Sequence, residues 1–345
     1  MKKKTVIITG VTGQDGSYLA KLLIKKDIKV YGIIRRTSSD PFYRLKYLNI
    51  DKKIEFINVD LSEHQRINSY IKLIKPNFFY NLAAQSFVAY SYNSPIYTET
   101  INNLSVLNIL EAIKNTSNKT KFYQASSSEM FGGLNYKNKK LNENSKFDPI
   151  SPYAISKLSA YHYTRMYRKS YNIFASSGIL FNHESPLRGE QFVTKKIVRG
   201  LVEISNGKKK DPINLGNIYA RRDWGHAEDY VGVIYKIMNY KEADDFVIAS
   251  DKNYSVKEFI NLTVKNLGIK IFWSGKGLKE KAMDKNGKIL IKIHKKLFRP
   301  MDITDLVGDT YKARKKLNWK PKKKLNGLIN DMILYEKKIL NKWKK

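Results

Sequence analysis

Short apolar runs alternate with longer stretches of helical periodicity through the first two-thirds of the chain. Runs of this length bounded by turn residues are typical of buried strands, and strands that alternate with helices form parallel sheets. The predicted strands are Thr5–Thr9, Lys29–Ile34, Ile54–Val59, Phe78–Ala84, Lys121–Ala125 and Ile173–Leu180. The predicted helices are Ser17–Lys26, Glu63–Ile74, Thr98–Lys114 and Tyr153–Tyr171.

The pattern loosens after about Asn182 into loops, short strands and helices. Ser255–Leu267 is predicted to be a helix with a serine at its start, and Leu325–Lys342 is predicted to be a C-terminal helix. An Asn-Gly pair within Asp284–Lys288 predicts a hairpin turn between two lysine-rich arms. These shorter elements indicate a smaller lobe of mixed composition after the sheet.

The composition excludes some classes of protein and leaves two interpretations of the charge. Hydrophobic residues make up 42% of the 345 positions, which suffices for a sizeable core and excludes wholesale disorder. The net charge of +33 is typical of a nucleic-acid-binding protein, or of a lysine-rich solvated surface around a cleft for a small anion. Because the lysines are spread along the whole chain, the sequence favours the second interpretation.

The absence of cysteine excludes disulfides, thiolate nucleophiles and zinc–sulfur sites, and it favours a reducing cytoplasm. The basic start, Met1–Lys4, is followed by too short an apolar stretch for a signal peptide. No apolar run approaches the roughly 20 residues needed to cross a bilayer. The five histidines show no metal-ligand spacing. We therefore expect a cytoplasmic protein with no metal and no contact with membranes.

A glycine-rich turn follows the first predicted strand and precedes a helix. It reads Gly10-Val11-Thr12-Gly13-Gln14-Asp15-Gly16, with the spacing G-x-x-G-x-x-G. Glycines at such a turn let the backbone approach a pyrophosphate, and the helix that follows presents unpaired N–H groups and its positive dipole end. The sequence predicts a dinucleotide site here.

The ends of the next three strands predict the rest of that site. An NAD site usually has an acidic residue after the second strand, whereas this chain has Arg35-Arg36-Thr37-Ser38, whose guanidinium groups suit a 2′-phosphate. NADP is therefore the predicted cofactor. Asp60 and Leu61 follow the third strand and are expected near the adenine. Small residues end the fourth strand and let a cofactor lie close: Leu82, Ala83, Ala84, Gln85 and Ser86.

Tyr153 and Lys157 are four positions apart near the start of a predicted helix, so both project from one face. An ammonium group beside a phenol favours the phenolate, which makes tyrosine a usable base near neutral pH. Ser126-Ser127-Ser128-Glu129 ends the fifth strand upstream. A serine, a tyrosine and a lysine at the carboxyl edge of a nucleotide-binding sheet suit hydride chemistry on a carbinol.

These residues together resemble the extended short-chain dehydrogenases/reductases, and within them the GDP-mannose 4,6-dehydratase family, nearly from end to end. The most specific strings that carry the resemblance are Gly10–Gly16, Gln124–Gly132, Ser151–Lys157, Phe181–Gly189, Leu215–Asn217, Arg222–His226 and Phe298–Pro300. The resemblance implies a Rossmann-type doubly wound parallel sheet with a smaller mixed α/β C-terminal substrate lobe. We expect residues 1–181 to form the NADP-binding domain and residues 182–345 mainly the lobe, with some segments returning to the first domain.

The resemblance also implies roles for individual residues. Tyr153 takes the proton of the sugar 4-hydroxyl and is oriented by Lys157, while Ser127 stands where the family commonly has threonine. Glu129 removes the C5 proton, which separates a dehydratase from a reductase or an epimerase. The positions implied to lie near the cofactor are Tyr97, His183 and Arg188, and those implied to hold the nucleotide sugar are Ser86, Ser127, Glu129, Asn182, Lys196, Arg222 and Arg299.

The expected reaction is conversion of GDP-α-D-mannose to GDP-4-dehydro-6-deoxy-α-D-mannose and water, by internal hydride transfer through bound NADP. The alternatives are a dehydratase of another GDP-sugar, such as a GDP-heptose, or a nucleotide-sugar epimerase or reductase of the same fold. A nucleic-acid-binding protein that retains a Rossmann shell is a further alternative, although no nucleic-acid motif is present. By analogy with the superfamily, we expect a homodimer or a homotetramer.

Overall fold

The structure is a computed structural model that describes residues 3–133, 139–298, 301–303 and 305–342. Its strands are β1 (Thr5–Thr9), β2 (Lys29–Ile34), β3 (Glu55–Asn58), β4 (Phe78–Asn81), β5 (Lys121–Ser127), β6 (Ala175–Leu180), β7 (His183–Glu184), β8 (Ile213–Leu215), β9 (Arg221–Asp223), β10 (Gly225–His226), β11 (Asp245–Ile248), β12 (Asn253–Ser255), β13 (Ile271–Ser274), β14 (Lys281–Asp284) and β15 (Ile289–Ile293). Its helices are α1 (Gln14–Lys25), α2 (Tyr43–Tyr47), α3 (His64–Ile74), α4 (Val88–Ser91), α5 (Pro95–Glu99), α6 (Ser105–Thr116), α7 (Pro152–Tyr171), α8 (Val193–Ser205), α9 (Ala227–Met238), α10 (Val256–Asn266), α11 (Tyr311–Leu317) and α12 (Leu325–Lys342).

Seven parallel strands form the central sheet, in the order β11-β6-β5-β4-β1-β2-β3. The chain moves outward in one direction from β1 to β3 and in the other direction from β4, so the strand order reverses between β1 and β4. Ligands of doubly wound sheets bind outside the carboxyl ends of the strands at such a reversal. The predicted Rossmann-type sheet is confirmed, and its topology puts a ligand site beside the loop after β1.

Both faces of the sheet are buried, which explains why its strands are continuous apolar runs rather than alternating ones. In β1, Val6 and Ile8 pack on one face with residues of α1 and α9, whereas Ile7 packs on the other face with residues of α3, α6 and α7. The predicted strands β1 and β2 have the observed bounds. β4 ends at Asn81, three residues earlier than predicted, because the chain leaves the sheet there to form the loop 82–86.

The predicted helix over Thr98–Lys114 is more complex in the structure. α5 continues through a π-helical turn, Thr100–Leu104, into α6. A π-helical turn inserts one extra residue into the helix and is frequent at functional sites. Its middle residue, Asn102, is buried.

A second, smaller layer follows the sheet, with the strand order β13-β14-β15-β8. α8, α10 and α12 pack with it around a separate apolar cluster that includes Ile197, Phe259 and Ile329. Ser255 caps α10 by accepting a hydrogen bond from the backbone N–H of Glu258, as its position before that predicted helix suggests. The predicted hairpin turn lies between β14 and β15, where Gly287 adopts a positive φ of 78°.

Some segments beyond residue 181 belong to the main sheet layer rather than to this second layer. β11 pairs with the outer edge of β6, and α9 packs against α1. Within the described residues, no helix combines the length and the apolar character needed to span a membrane.

Candidate active site

A cleft of about 1230 Å³ runs across the carboxyl ends of the central strands, from the glycine-rich turn to the second layer. Most of the residues predicted for the site line it. These are Gly10, Thr12, Gly13, Gln14, Asp15, Gly16, Arg35, Asp60, Leu61, Leu82, Ala83, Ala84, Gln85, Ser86, Tyr97, Ser127, Glu129, Tyr153, Lys157, Asn182, His183, Arg188, Lys196 and Arg222.

The remaining predicted residues are not among the described residues that line the cleft. Val11 is fully buried in the core beneath the turn rather than facing the cleft. Arg36, Thr37 and Ser38 are exposed and lie outside the cleft lining, because the chain turns away from the sheet after Arg35. Arg299, predicted to hold the nucleotide sugar, lies outside the described residues.

The glycines of the turn are required by close backbone contacts. A Cβ atom on Gly10, whose φ is +67°, would lie 2.9 Å from the backbone of Ala83. A Cβ on Gly16 would lie 2.2 Å from the carbonyl oxygen of Gly10. The turn can therefore pack against the loop after β4 and present the N-terminus of α1 to the cleft, as a pyrophosphate-binding turn requires. This geometry fits a dinucleotide.

Buried polar contacts fix the strand ends that support the cleft. Thr9 donates a hydrogen bond to Asn81 (2.7 Å), and Asn81 donates one to Gln124 (2.9 Å), so the ends of β1, β4 and β5 are connected side by side. The same Thr9 hydroxyl accepts hydrogen bonds from the backbone N–H groups of Leu82 and Ala83. The loop that must lie close to a cofactor is thereby held at the sheet edge.

Asn102, in the π-helical turn, holds the next part of that loop. Its side-chain oxygen accepts a hydrogen bond from the N–H of Gln85 (2.8 Å), and its amide donates to the Gln85 carbonyl (3.1 Å) and to the Ser156 hydroxyl (3.2 Å). The residue was not predicted from the sequence. One feature of the sequence could have pointed to Asn102: it lies on the apolar face of the helical pattern. Asparagine is rarely buried at such a position unless its side chain is hydrogen-bonded.

Four side chains gather where β5 and α7 meet at the middle of the cleft. Ser127 ends β5, Glu129 lies on the short helical turn that follows, and Tyr153 and Lys157 lie in the first two turns of α7. All four are at least nine-tenths buried. The sequence prediction that these groups share one place at the sheet edge agrees with this geometry.

The surroundings of the tyrosine determine the direction of its pKa shift. Burial raises the pKa of Tyr153 to about 12, the hydrogen bond with Ser127 lowers it in part, and the Glu129 carboxylate raises it. The ammonium of Lys157 lies 6.0 Å from the Tyr153 ring and donates to the carbonyl of Ala125 at 2.8 Å. Burial also lowers the pKa of Lys157 to about 8. Lys157 is thus directed toward the backbone of β5.

The adenosine end of the cleft carries the predicted cation. Arg35 follows β2, and one of its terminal nitrogens donates to the phenol oxygen of Tyr97 at 3.1 Å. Both side chains line the cleft, next to Asp60 and Leu61 at the end of β3. No acidic residue follows β2 before Asp40. This end of the cleft therefore presents a guanidinium where a ribose-binding carboxylate would otherwise stand.

His183 faces two acceptors. Its Nδ1 lies 2.8 Å from the carbonyl oxygen of Phe181, and its Nε2 lies 2.7 Å from a carboxylate oxygen of Asp15. Burial by itself lowers the pKa of His183, but the Asp15 carboxylate outweighs burial and the pKa of His183 is raised. Both ring nitrogens can donate only in the imidazolium form, so the ion pair links the glycine-rich turn to the strand β7.

Three predicted cations line the end of the cleft near the second layer, and the contacts of their side chains differ. The Lys196 ammonium lines the cleft without a hydrogen bond or an ion pair to any described residue. Arg188 stacks on the Phe192 ring, with 3.5 Å between guanidinium carbon and ring centroid, and pairs with Glu184 at 3.1 Å. Arg222 donates to Asp302 and to the carbonyl of Ile303, at 3.1 and 2.6 Å. Arg188 and Arg222 therefore each have an acidic partner, and the role of Arg222 toward the nucleotide sugar stays a prediction.

No group of three or more histidine, aspartate or glutamate side chains within the described ranges is arranged to hold a metal ion. The cleft wall also includes Arg44, which was not predicted from the sequence because one more cation in a lysine-rich chain does not stand out.

Tyr153 and Glu129 can support acid–base chemistry in this cleft, beside a surface of cations that can bind anions.

Comparison with known proteins gives a family match over nearly the whole chain. Residues 7–332 match the family model described as GDP-mannose 4,6 dehydratase. A curated GDP-mannose 4,6-dehydratase of Vibrio cholerae is 42% identical, with 96% of this chain and 93% of that protein covered. The human GDP-mannose 4,6 dehydratase is 40% identical, with 96% and 91% covered.

Solved structures share the fold at lower identity. A dTDP-glucose 4,6-dehydratase from Bacillus anthracis in complex with NAD superposes with a TM-score of 0.81 at 19% identity, covering 99% of both chains. The structure of RMD from Pseudomonas aeruginosa complexed with NADPH gives a TM-score of 0.76 at 18% identity, covering 97% of this chain and 100% of that one. These likenesses show that the chain shares its fold with these proteins.

Proposed function

The chain belongs to the GDP-mannose 4,6-dehydratase family, and we propose that its cleft converts GDP-mannose to GDP-4-dehydro-6-deoxymannose and water. It is a hydro-lyase that uses a nicotinamide cofactor. The observation that carries the proposal is the gathering of Glu129 with Tyr153 and Ser127 at the middle of a cleft that begins at a glycine-rich turn. A reductase needs the tyrosine, whereas elimination also needs the carboxylate.

Each of these side chains has its own step in the proposed reaction. Tyr153 takes the proton of the sugar 4-hydroxyl as a phenolate, a form that the positive charge of an oxidised nicotinamide would favour, and Ser127, which hydrogen-bonds the phenol, holds the same oxygen. The nicotinamide, when bound, supplies the hydride acceptor at C4 and the hydride donor at C6. Once C4 is a ketone, the C5 hydrogen is acidic and Glu129 removes it. The C6 hydroxyl then leaves as water, with the proton that Glu129 received from C5. When the hydride returns to C6, C5 takes up a proton, and the proton that Tyr153 took from the 4-hydroxyl balances this uptake, so that both side chains end in their starting forms.

NADP, rather than NAD, is the form of the cofactor that the adenosine end favours. Arg35 provides a guanidinium at the end of β2, and a guanidinium binds phosphate oxygens through paired hydrogen bonds. The Tyr97 phenol accepts from the same group and orients it. The glycine-rich turn and the N-terminus of α1 would hold the pyrophosphate, with Arg188 near the cofactor, and Lys196 would contact the diphosphate of the sugar nucleotide.

A second copy of this chain is the proposed partner. α5 to α6 and α7 lie side by side and expose apolar side chains that a monomer leaves in water: Ile96, Leu104, Ile155 and Met166 are 82, 44, 53 and 38% exposed.

Sedimentation of the wild-type protein should show a dimer or a tetramer, and the double variant Ile96→Glu, Ile155→Glu should sediment as a monomer. Glutamate at Leu334, equally apolar and 66% exposed on α12, is the control that keeps the assembly. A monomeric wild-type protein at micromolar concentration would overturn this proposal.

The experiment that tests the function is incubation of the purified protein with GDP-mannose and no added reductant, followed by mass spectrometry of the nucleotide sugar. We expect the mass to fall by one water. GDP-glucose, which differs from GDP-mannose in the configuration at C2, is the comparison substrate that shows whether the cleft discriminates between the two sugars. An unchanged mass of GDP-mannose after long incubation with NADP and with NAD contradicts the proposal.

A further inference from the structure

Arg44 connects two segments on opposite sides of the cleft. It lies on the short helix α2, and its Nε donates to the carbonyl oxygen of Leu187 at 2.7 Å while a terminal nitrogen donates to that of Thr12 at 3.1 Å. Thr12 belongs to the glycine-rich turn, and Leu187 belongs to the segment 183–188 that follows β7. Arg44 itself lines the cleft. One rigid guanidinium therefore spans two backbone oxygens that are 175 residues apart along the chain.

Two further contacts join the same pair of segments. The Gln14 amide donates to the carbonyl of His183 at 3.1 Å and its oxygen accepts from the Ser185 hydroxyl at 2.7 Å. Asp15 pairs with the His183 ring. We call these contacts, together with the Arg44 bridge, the clasp. Every residue in it except Leu187 and Ser185 lines the cleft, so the clasp borders the cleft where the turn would hold a dinucleotide.

The C-terminal helix supports the clasp from outside the cleft. Lys195 donates to the carbonyl of Pro186 at 2.7 Å and forms a buried ion pair with Glu336 of α12. The neighbouring Tyr335 packs its ring against Tyr47 of α2, with 5.0 Å between ring centroids. α12 therefore contacts the helix that carries Arg44 directly and supports the segment that receives it through Lys195 of α8.

We propose that Arg44 is a positioning residue whose bridge keeps the clasp closed and slows release of the nicotinamide dinucleotide. The inference rests on the proposed function, because a reaction that returns its hydride to the substrate in each turnover gains nothing from releasing the cofactor. A charged donor with two backbone acceptors is among the stronger polar contacts in a protein, and its loss leaves both carbonyls without that partner. Opening of the clasp then becomes easier.

Release can be measured without any nucleotide sugar. The purified chain is loaded with NADPH or NADH, whichever it binds more tightly, and mixed with an excess of the oxidised form, and loss of bound-cofactor fluorescence gives the dissociation rate. Arg44→Met should release the cofactor at least about tenfold faster, the factor expected for one lost charged hydrogen bond. Arg314→Met is the matched control, because Arg314 also bridges two segments, at Thr310 and Asp251, but lies outside the cleft lining.

Two more variants separate the bridge from a simple charge effect. Arg44→Lys retains the charge but places all its donors on one nitrogen, so it should remain several-fold faster in release than wild type. Glu336 lies outside the cleft lining, and Glu336→Gln weakens its ion pair with Lys195, which donates to the carbonyl of Pro186. This variant should therefore also accelerate release of the cofactor. It replaces Arg44→Met in the test if Arg44→Met does not fold. A wild-type release rate in Arg44→Lys, or unchanged rates in both Arg44→Met and Glu336→Gln, overturns the proposal. Loss of water from GDP-mannose by the wild-type chain, assayed separately, tests the proposed function independently.

Discussion

In the proposed mechanism, Glu129 is the residue that distinguishes elimination from simple oxidation. It is 9% exposed, and its carboxylate raises the pKa of Tyr153, which places the two groups within electrostatic reach of each other. A base beside the tyrosine suits removal of a proton one carbon away from the oxidised position. Because a general base contributes about 10²- to 10⁴-fold to such a step, its removal has a measurable consequence.

Glu129→Gln should lower the rate of water loss from GDP-mannose by about 10²- to 10⁴-fold, because the amide keeps the shape and loses the basic oxygen. Oxidation at C4 does not need Glu129, so reduced cofactor should accumulate and is followed by its absorbance. Glu143→Gln is the control, because Glu143 accepts a hydrogen bond from Val247 and lies outside the cleft lining. A normal dehydration rate in Glu129→Gln would show that another group is the base.

The two arginines after β2 differ in their environments. Arg35 lines the cleft and contacts Tyr97, whereas Arg36 is exposed and lies outside the lining. Arg35→Asp should therefore shift the ratio of NADP to NAD affinity toward NAD by at least about tenfold, since it replaces a phosphate partner with an acceptor for a ribose hydroxyl. Arg36→Asp should shift it less. Titration of each variant with both cofactors measures the ratio, and equal shifts would contradict the assignment to Arg35.

At the scale of elements, Asp223 joins three segments around the second layer. It ends β9, is fully buried, and accepts hydrogen bonds from the N–H groups of Ser250 (2.6 Å) and Gly308 (3.2 Å). Burial raises the pKa of Asp223 from 3.8 to about 7, and these hydrogen bonds offset only part of the increase. The loops after β11 and before α11 are thus connected through a carboxyl group that the fold prefers to keep protonated.

The sign of the resulting pH dependence follows from the raised pKa. Between about pH 4 and pH 7 the folded chain binds the Asp223 proton more tightly than the unfolded chain does, so its contribution to the free energy of unfolding falls as pH rises through this window. The total fall is at most about 4 kcal/mol. Asp223→Asn lacks this dependence.

Urea unfolding of wild type and Asp223→Asn at pH 4.5 and pH 7 measures the difference directly. We expect the stability of wild type relative to the variant to decrease between the two values. Asp211→Asn, at an exposed aspartate, provides the control and should run parallel to wild type. A difference between wild type and Asp223→Asn that is constant with pH would contradict the raised pKa.

The elements show how far sequence reasoning reaches. β1 and β2 are buried on both faces and bounded by turns, so their apolar runs predict their ends directly. The break at the π-helical turn was not predictable, because Asn102 is stabilised by partners on the loop after β4 and on α7 that only the folded chain brings near. The glycine-rich turn and the Tyr153–Lys157 pair were predictable because local spacing determines them.

The site as a whole was predictable only in part for the same reason. Most predicted side chains line one cleft, because parallel strands bring their carboxyl ends together. Arg44 and the compensated charge of Arg222 depend on contacts 143 and 80 residues away along the chain, which no local pattern encodes. The orientation of Lys157 toward Ala125 likewise depends on packing at the end of β5.

At the scale of the whole molecule, the net charge of +33 and the cleft serve different purposes. The cleft wall carries six arginine and lysine side chains: Arg35, Arg44, Lys157, Arg188, Lys196 and Arg222. These six account for little of the excess of positive charge over the whole chain. The basic character of the protein therefore supports anion binding mainly at one place.

The central claim is that this one cleft oxidises C4 and reduces C6 of the same sugar. Incubation with GDP-mannose deuterated at C4 of the mannose, without added reductant, tests it most directly when the product is examined by NMR. We predict GDP-4-dehydro-6-deoxymannose with the deuterium on C6, because the hydrogen removed from C4 stays in the closed cleft until it returns. A product without deuterium at C6, or no product at all, would contradict the account.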